Sequence, residues 1–258
     1  MSPLWQENFD FYEAAAEKGR AIVSLDLAAA NHAPLASHPV RLQFRVKMQR
    51  PREDGLRSAD EADALFSLED RLVDVMRRNF EGLYVARAVA YGATEFFFYL
   101  PDTQREAGTR AAALLGGLEP YQLEFLAEDD PEWERYADLY PDAWSFQTIL
   151  NRRLVSQMEQ SGDQLEVPRE VDHAATFPSR MQAAAASEAL VAAGFRVDAL
   201  KKPELPEQPW FLEFHREQRC DGEGPDDFVF EVLELIAPHE GDYDGWGAPV
   251  QGARAPSP

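Results

Sequence analysis

What most restricts the fold of this chain is one order of strand-like and helix-like segments that occurs twice. From Val40 to Met48 the apolar Val40, Leu42, Phe44, Val46 and Met48 alternate with Arg41, Gln43, Arg45 and Lys47. That is the period of a strand with one dry and one wet face. Pro51 and Asp54-Gly55 mark a turn, and Ser58 followed by Glu61 has the form of a capping box opening a helix. The helix carries Leu65, Leu68, Leu72, Val75 and Met76 on one stripe and ends near Gly82. Two β-rich runs, 83–91 and 95–100, then flank Gly92-Ala93-Thr94 as a hairpin. A short helix over 103–115 and a strand over 121–126 complete a β-α-β-β-α-β set, preceded by an extra strand over 20–27.

Residues 128–142 combine an acidic run, two prolines and no sustained periodicity, which places a domain boundary there. Beyond it a helix over 144–161 stops at Gly162, and the earlier order returns. A strand over 170–177 leads through Pro178 into a helix over 179–193, which Gly194 ends. Strands follow over 195–200 and 210–219. Pro225 then opens a helix with Asp226 and Asp227 in its first turn, where carboxylates offset the helix dipole. A last strand spans 243–250. The expectation is an α+β chain of two ferredoxin-like β-α-β-β-α-β sandwich domains in tandem. Their bounds are 1–139 and 140–251, with a disordered tail at 252–258.

Charge narrows the function. The chain has 46 acidic against 25 basic residues, a net charge of -21, and both halves are acidic. Such a field opposes nucleic acid and anionic lipid and suits a protein partner with a basic surface. Arg41, Arg45, Lys47, Arg50 and Arg52 form a local basic cluster, but no aromatics interleave it to stack bases, so pairing with nearby carboxylates or with the other domain is the preferred reading. The single Cys220 cannot form an internal disulfide, and neither a leader pattern nor an 18-residue apolar stretch is present, so a cytoplasmic location is expected.

Motifs of catalysis are missing. The histidines at 32, 38, 173, 215 and 239 show no i, i+4 pair and no second cysteine completes a zinc site. Neither a nucleophile elbow nor a phosphate-binding glycine loop occurs. No catalytic, cofactor or metal residue is therefore assigned. The run Asp242-Tyr243-Asp244-Gly245 fails the calcium-loop template. Gly241 and Gly245 are read instead as shaping the last strand, with Tyr243 and Trp246 packing. A metal-dependent enzyme built on His239, Asp242 and Asp244 is the alternative, and an immunity-type module neutralising a toxin is another.

Gly162-Asp163, Val167-Pro168-Arg169, Val171-Asp172-His173, Phe177, Gly194-Phe195-Arg196-Val197 and the closing Gly241-Asp242-Tyr243-Asp244-Gly245-Trp246-Gly247 carry a resemblance. Over about residues 145–251 the chain resembles the family of the regulator of ribonuclease E activity B. The resemblance implies a small cytoplasmic ferredoxin-like module that inhibits the endoribonuclease by protein contact, without catalysis or cofactor. In the first half, Arg50-Pro51-Arg52-Glu53-Asp54-Gly55-Leu56, Glu69-Asp70 and Glu95-Phe96-Phe97-Phe98-Tyr99 resemble an uncharacterised bacterial domain often fused upstream of the regulator, which implies no activity. Joining charge to resemblance, the acids Asp226, Asp227, Glu231 and Glu234 of the last helix, beside Glu240 and Asp242, are the expected partner-binding edge. The partner is expected to be ribonuclease E or a related enzyme; the oligomeric state stays open.

Overall fold

A computed structural model describes residues 4–16, 19–202, 205 and 208–252. The chain is an α+β protein with two separate antiparallel sheets, and it divides into two compact units, Met1–Phe146 and Gln147–Pro258. Among the described residues no helix is long and apolar enough to cross a membrane.

The first unit contains β1 (Phe9–Ala16), β2 (Gly19–Asp26), β3 (Val40–Lys47), α1 (Ala59–Phe80), β4 (Leu83–Ala90), β5 (Ala93–Leu100), α2 (Ala107–Leu115), β6 (Leu123–Asp129) and the short α3 (Glu134–Asp138). Its sheet runs β1-β2-β4-β5-β3-β6. The alternation of β3 does what the sequence requires: Val40, Leu42, Phe44 and Val46 are fully buried against Leu65, Leu68, Leu72 and Met76 of α1 and Ala111 and Leu115 of α2. Burying each large side chain of this kind contributes about 1.5–3 kcal/mol. The wet-face cations pair across the strands, Arg41 with Glu128 and Arg45 with Glu95 at 3.7 Å, while Arg52 pairs with Asp54 at 2.8 Å.

Two local expectations change. The capping box does not form: Ser58 makes no side-chain cap bond, and Glu61, only 2% exposed, turns to the preceding loop. There its carboxylate accepts from the backbone N–H groups of Gln49 (2.6 Å) and Arg50 (2.9 Å). Glu61 is itself buried, and a buried carboxylate needs partners, which the loop's two backbone donors supply. The strand β1 is additional, and its Ala14-Ala15-Ala16 end has no alternation by which to read it.

The aperiodic segment 128–142 packs within the first unit. Trp133 is 1% exposed, stacks on Tyr99 with ring centroids 3.9 Å apart, and donates its indole N–H to the His38 carbonyl at 3.0 Å. Tyr99 donates to Asp130 (2.6 Å), Tyr136 to the Asp26 carbonyl (2.8 Å) and Tyr12 to the Leu139 carbonyl (2.7 Å). This segment explains the unbroken apolar run of β5. Phe96, Phe98 and Leu100 join the core under α1 and α2, while Phe97 and Tyr99 point to the other face and are covered as well.

The second unit contains most of α4 (Ala143–Gln160), then β7 (Arg169–Phe177), α5 (Arg180–Ala192), β8 (Arg196–Lys201), β9 (Trp210–Gln218), α6 (Gly224–Ile236) and β10 (Asp242–Gly247). Its sheet order is β10-β7-β9-β8. Ala183, Ala186 and Leu190 of α5 and Phe228, Val229, Val232 and Ile236 of α6 pack on Val171, Ala175, Phe177, Leu212 and Phe214. The small alanines of α5 let that helix approach the sheet closely. Gly194 ends α5 with φ 89°, and Phe195 N–H bonds the Leu190 carbonyl at 3.0 Å, the closure that favours glycine at this position. The last strand is shorter than the sequence suggests, ending at Gly247.

Gly241 illustrates why the closing motif needs glycine before β10. A Cβ there would sit 2.6 Å from Phe177 Cε1 and 2.8 Å from Ile236 Cβ, both in the core. Gly241→Ala is expected to destabilise the second unit by about 1–3 kcal/mol, the usual range for overpacking. A urea titration of the intact chain checks this, and an unchanged midpoint counts against the packing account.

Candidate functional site

Several motif residues of the second unit, among them Asp163, Arg169, His173 and Tyr243, fall into two buried networks. At the end of α4, Gly162 has φ 78°, and the next residue, Asp163, meets Arg169 at the start of β7. Their side chains are 0% and 1% exposed, and Arg169 Nη1 reaches both carboxylate oxygens, at 2.6 and 2.8 Å. Arg169 also donates to the carbonyls of Val167 (3.1 Å), Pro249 (3.2 Å) and Gln164, while Asp163 accepts from Gln251 N–H at 3.1 Å. The pair thus ties the loop after α4, where Pro168 lies, to the segment that follows β10.

The second network is centred on His173, 2% exposed, whose ring stacks on Phe214 and meets Phe195 and Phe228 edge-on. Its Nδ1 lies 2.8 Å from Tyr243 Oη and its Nε2 2.9 Å from Gln218 Oε1. Burial pushes the imidazole down to about 4, and burial holds the Tyr243 phenol well above its ordinary range. Tyr243 is therefore the donor to Nδ1, and Nε2–H donates to Gln218. Trp246 donates to Asn151 Oδ1 (2.8 Å), and the β10 bulge falls at Asp244, between Tyr243 and Gly245, with Gly245 at φ 129°. Motif residues with these environments hold the unit together; Cys220, fully buried with its thiol pushed up by burial, is likewise a core residue.

The six acids of the expected partner edge are not equivalent. Asp226 accepts from Asn151 Nδ2 at 2.8 Å, and Glu231 forms an ion pair with Arg216, whose guanidinium lies 4.0 Å over the Phe195 ring. These two are occupied inside the unit. Asp227, Glu234, Glu240 and Asp242 are exposed. His239, Asp242 and Asp244 bring no set of ligand atoms together among the described residues.

Sequence reading passed over a more concentrated acidic surface. Because Val171, His173 and Ala175 of β7 and Leu212 and Phe214 of β9 face the helices, Glu170, Asp172, Glu213, His215 and Glu217 face the other side. There a shallow basin of about 480 Å³ is lined by Asp172, Asp198, Glu213, Asp244 and Trp246, among others. The signal was present as alternation in both strands, with Glu170 and Asp172 on the wet face of β7 and Glu213 and Glu217 on that of β9.

The second unit thus presents an antiparallel sheet with helices on one face and carboxylates on the other, and Asp163, Arg169, His173 and Tyr243 of its motif are buried side chains. The chain belongs to a family of unknown function, DUF695, whose model matches residues 7–140, and residues 148–248 match the model of the family described as regulator of ribonuclease activity B. No curated protein matches the chain. A crystal structure of an unknown protein from Galdieria sulphuraria is matched over 82% of this chain and 99% of that one, at 11% identity and a TM-score of 0.22, too low to bear on fold or function.

Proposed function

We propose that each unit is a ferredoxin-like sandwich and that the second is a cytoplasmic, non-catalytic regulator that inhibits ribonuclease E or a related endoribonuclease by direct contact. The sheet order β10-β7-β9-β8 and its counterpart β6-β3-β5-β4 support the first part, since both follow from a β-α-β-β-α-β chain with each third strand inserted between the first and second. The second part is carried by one observation: on the unit that matches the regulator family, Asp227, Glu234, Glu240 and Asp242 are exposed and hold no ion pair among the described residues. Carboxylates without internal partners are free to meet a basic surface that otherwise holds RNA phosphates. The same charge opposes direct RNA or membrane binding. The domain bounds read from sequence, 1–139 and 140–251, remain part of this reading.

The test is binding and inhibition of purified ribonuclease E from the same host at low salt. Association should slow as salt rises from about 0.05 to 0.5 M, where the Debye length falls from about 14 to about 4 Å. Reversing Asp227, Glu234 and Glu240 to Lys together should weaken binding at least about tenfold and leave melting nearly unchanged, because exposed acids contribute little to stability. Glu231 is left out, since its reversal would break the Arg216 pair. If Glu217→Lys with Asp244→Lys weakens binding and the first set does not, contact lies on the open sheet face. Absence of both binding and inhibition at low salt removes the function itself.

A further inference from the structure

We propose that Glu170, Asp172 and His215 form a binding site for a borderline divalent cation of the zinc type on the open face of the second unit's sheet. The strand register sets Asp172 opposite His215, and one ligand atom from each of the three residues lies within 4.8 Å of the others. A carboxylate cluster alone is a solvated surface; the histidine makes this one different.

The His215 side chain is 9% exposed although its strand faces solvent. Its Nδ1 lies 2.5 Å from Asp198 Oδ2, so Nδ1–H donates to that carboxylate and fixes the ring. In the neutral ring this places the lone pair on Nε2, which is buried and has no hydrogen-bond partner. An acceptor, Glu170 Oε2, lies 3.4 Å from Nε2. Arg196 pairs with Glu170 Oε2, but that oxygen is an acceptor and gives the buried Nε2 lone pair no donor or cation of its own. A cation there satisfies the lone pair and the carboxylates together.

The chemistry selects the ion. One imidazole nitrogen with two carboxylate oxygens suits zinc and its transition-metal neighbours, whereas calcium and magnesium prefer oxygen alone. A carboxylate on the far nitrogen of a ligating histidine is the usual outer partner that orients the ring and raises its basicity, the place Asp198 takes here. Arg196 engages Glu170 through Oε2, which leaves Oε1 for the metal. Glu170 and Asp172 are exposed, so the remaining coordination positions open to water or to a group brought by a partner.

The competing arrangement is a protonated His215 bridging Asp198 and Glu170, and metal alone distinguishes the two without any ribonuclease present. Tag-free full-length protein, titrated with zinc chloride near neutral pH by calorimetry, should bind one equivalent with micromolar affinity, and zinc should shift the His215 imidazole resonances. His215→Gln and Asp172→Asn should each weaken binding at least about tenfold, and Asp198→Asn by about tenfold through loss of orientation. Asp172 is exposed, so its substitution keeps the fold even if that of His215 does not. His239→Gln should change nothing. No heat and no movement of the His215 resonances at saturating zinc, or equal binding in the Asp172 and His215 variants, overturns the site.

Discussion

Replacing Arg169 with alanine is expected to lower the stability of the second unit by about 3–5 kcal/mol, the range for removing one partner of a buried ion pair. The reason is what it leaves behind. Asp163 is 0% exposed and would keep a carboxylate with only the Gln251 N–H bond, while the carbonyls of Gln164, Val167 and Pro249 would lose their shared donor. Against a typical total of about 5–15 kcal/mol, that loss brings the unit close to unfolding at ordinary temperature. Arg169→Lys should recover only part of it, because an ammonium cannot span two carboxylate oxygens and the surrounding carbonyls as a planar guanidinium does. Hydrogen exchange of the β7 and β10 amides in urea localises the effect to this unit. A loss below about 1 kcal/mol in Arg169→Ala would show that the pair is not what closes the end of the sheet.

The same contrast explains how much could be read from sequence. Elements whose periodicity matched their burial were legible: β3, α1 and α6 occupy nearly the residues expected because their apolar positions repeat with the period of the element, and α5 because Pro178 and Gly194 mark its ends. Segments whose burial comes from distant partners were not. The run containing Trp133, Tyr136 and Tyr140 has no period because its aromatics reach separate places, Tyr99 and His38 for Trp133 and Asp26 for Tyr136. Glu61 was read by its local spacing to Ser58, yet its partners are backbone donors on the loop before the helix. For the candidate site the difficulty was reversed. Acids on α6 stood out because they are adjacent in sequence, whereas Asp172, Asp198 and His215 meet only through strand pairing. Charge density along a chain does not tell which acids are already engaged; Glu231 and Asp227 look alike until Arg216 is placed.

Acid sensitivity of the second unit is the other large effect expected, and it follows from His173. The imidazole is held neutral in the fold, its ionisation pushed from 6.5 down to about 4, chiefly because burial among Phe195, Phe214 and Phe228 leaves the charged form without water. Arg216 works in the same direction, while the Gln218 bond and Glu231 oppose it. Above pH 6.5 both folded and unfolded chains carry a neutral ring, so the contribution to stability is complete. As pH falls through 6.5 the unfolded state takes up the proton first, and stability declines by about 1.4 kcal/mol per unit until the folded ring itself protonates near 4. The full loss is about 3 kcal/mol. Carboxylates also titrate toward the lower end of this window, so the informative quantity is a difference: His173→Gln should show a shallower decline between pH 6.5 and 4 than the unaltered chain, whatever its stability at neutral pH. The native imidazole can also be followed directly by nuclear magnetic resonance. If its resonances titrate near 6.5, the ring gains its proton without unfolding, and the Tyr243–His173–Gln218 line is a solvated contact instead of the buried, charge-excluding centre of the unit.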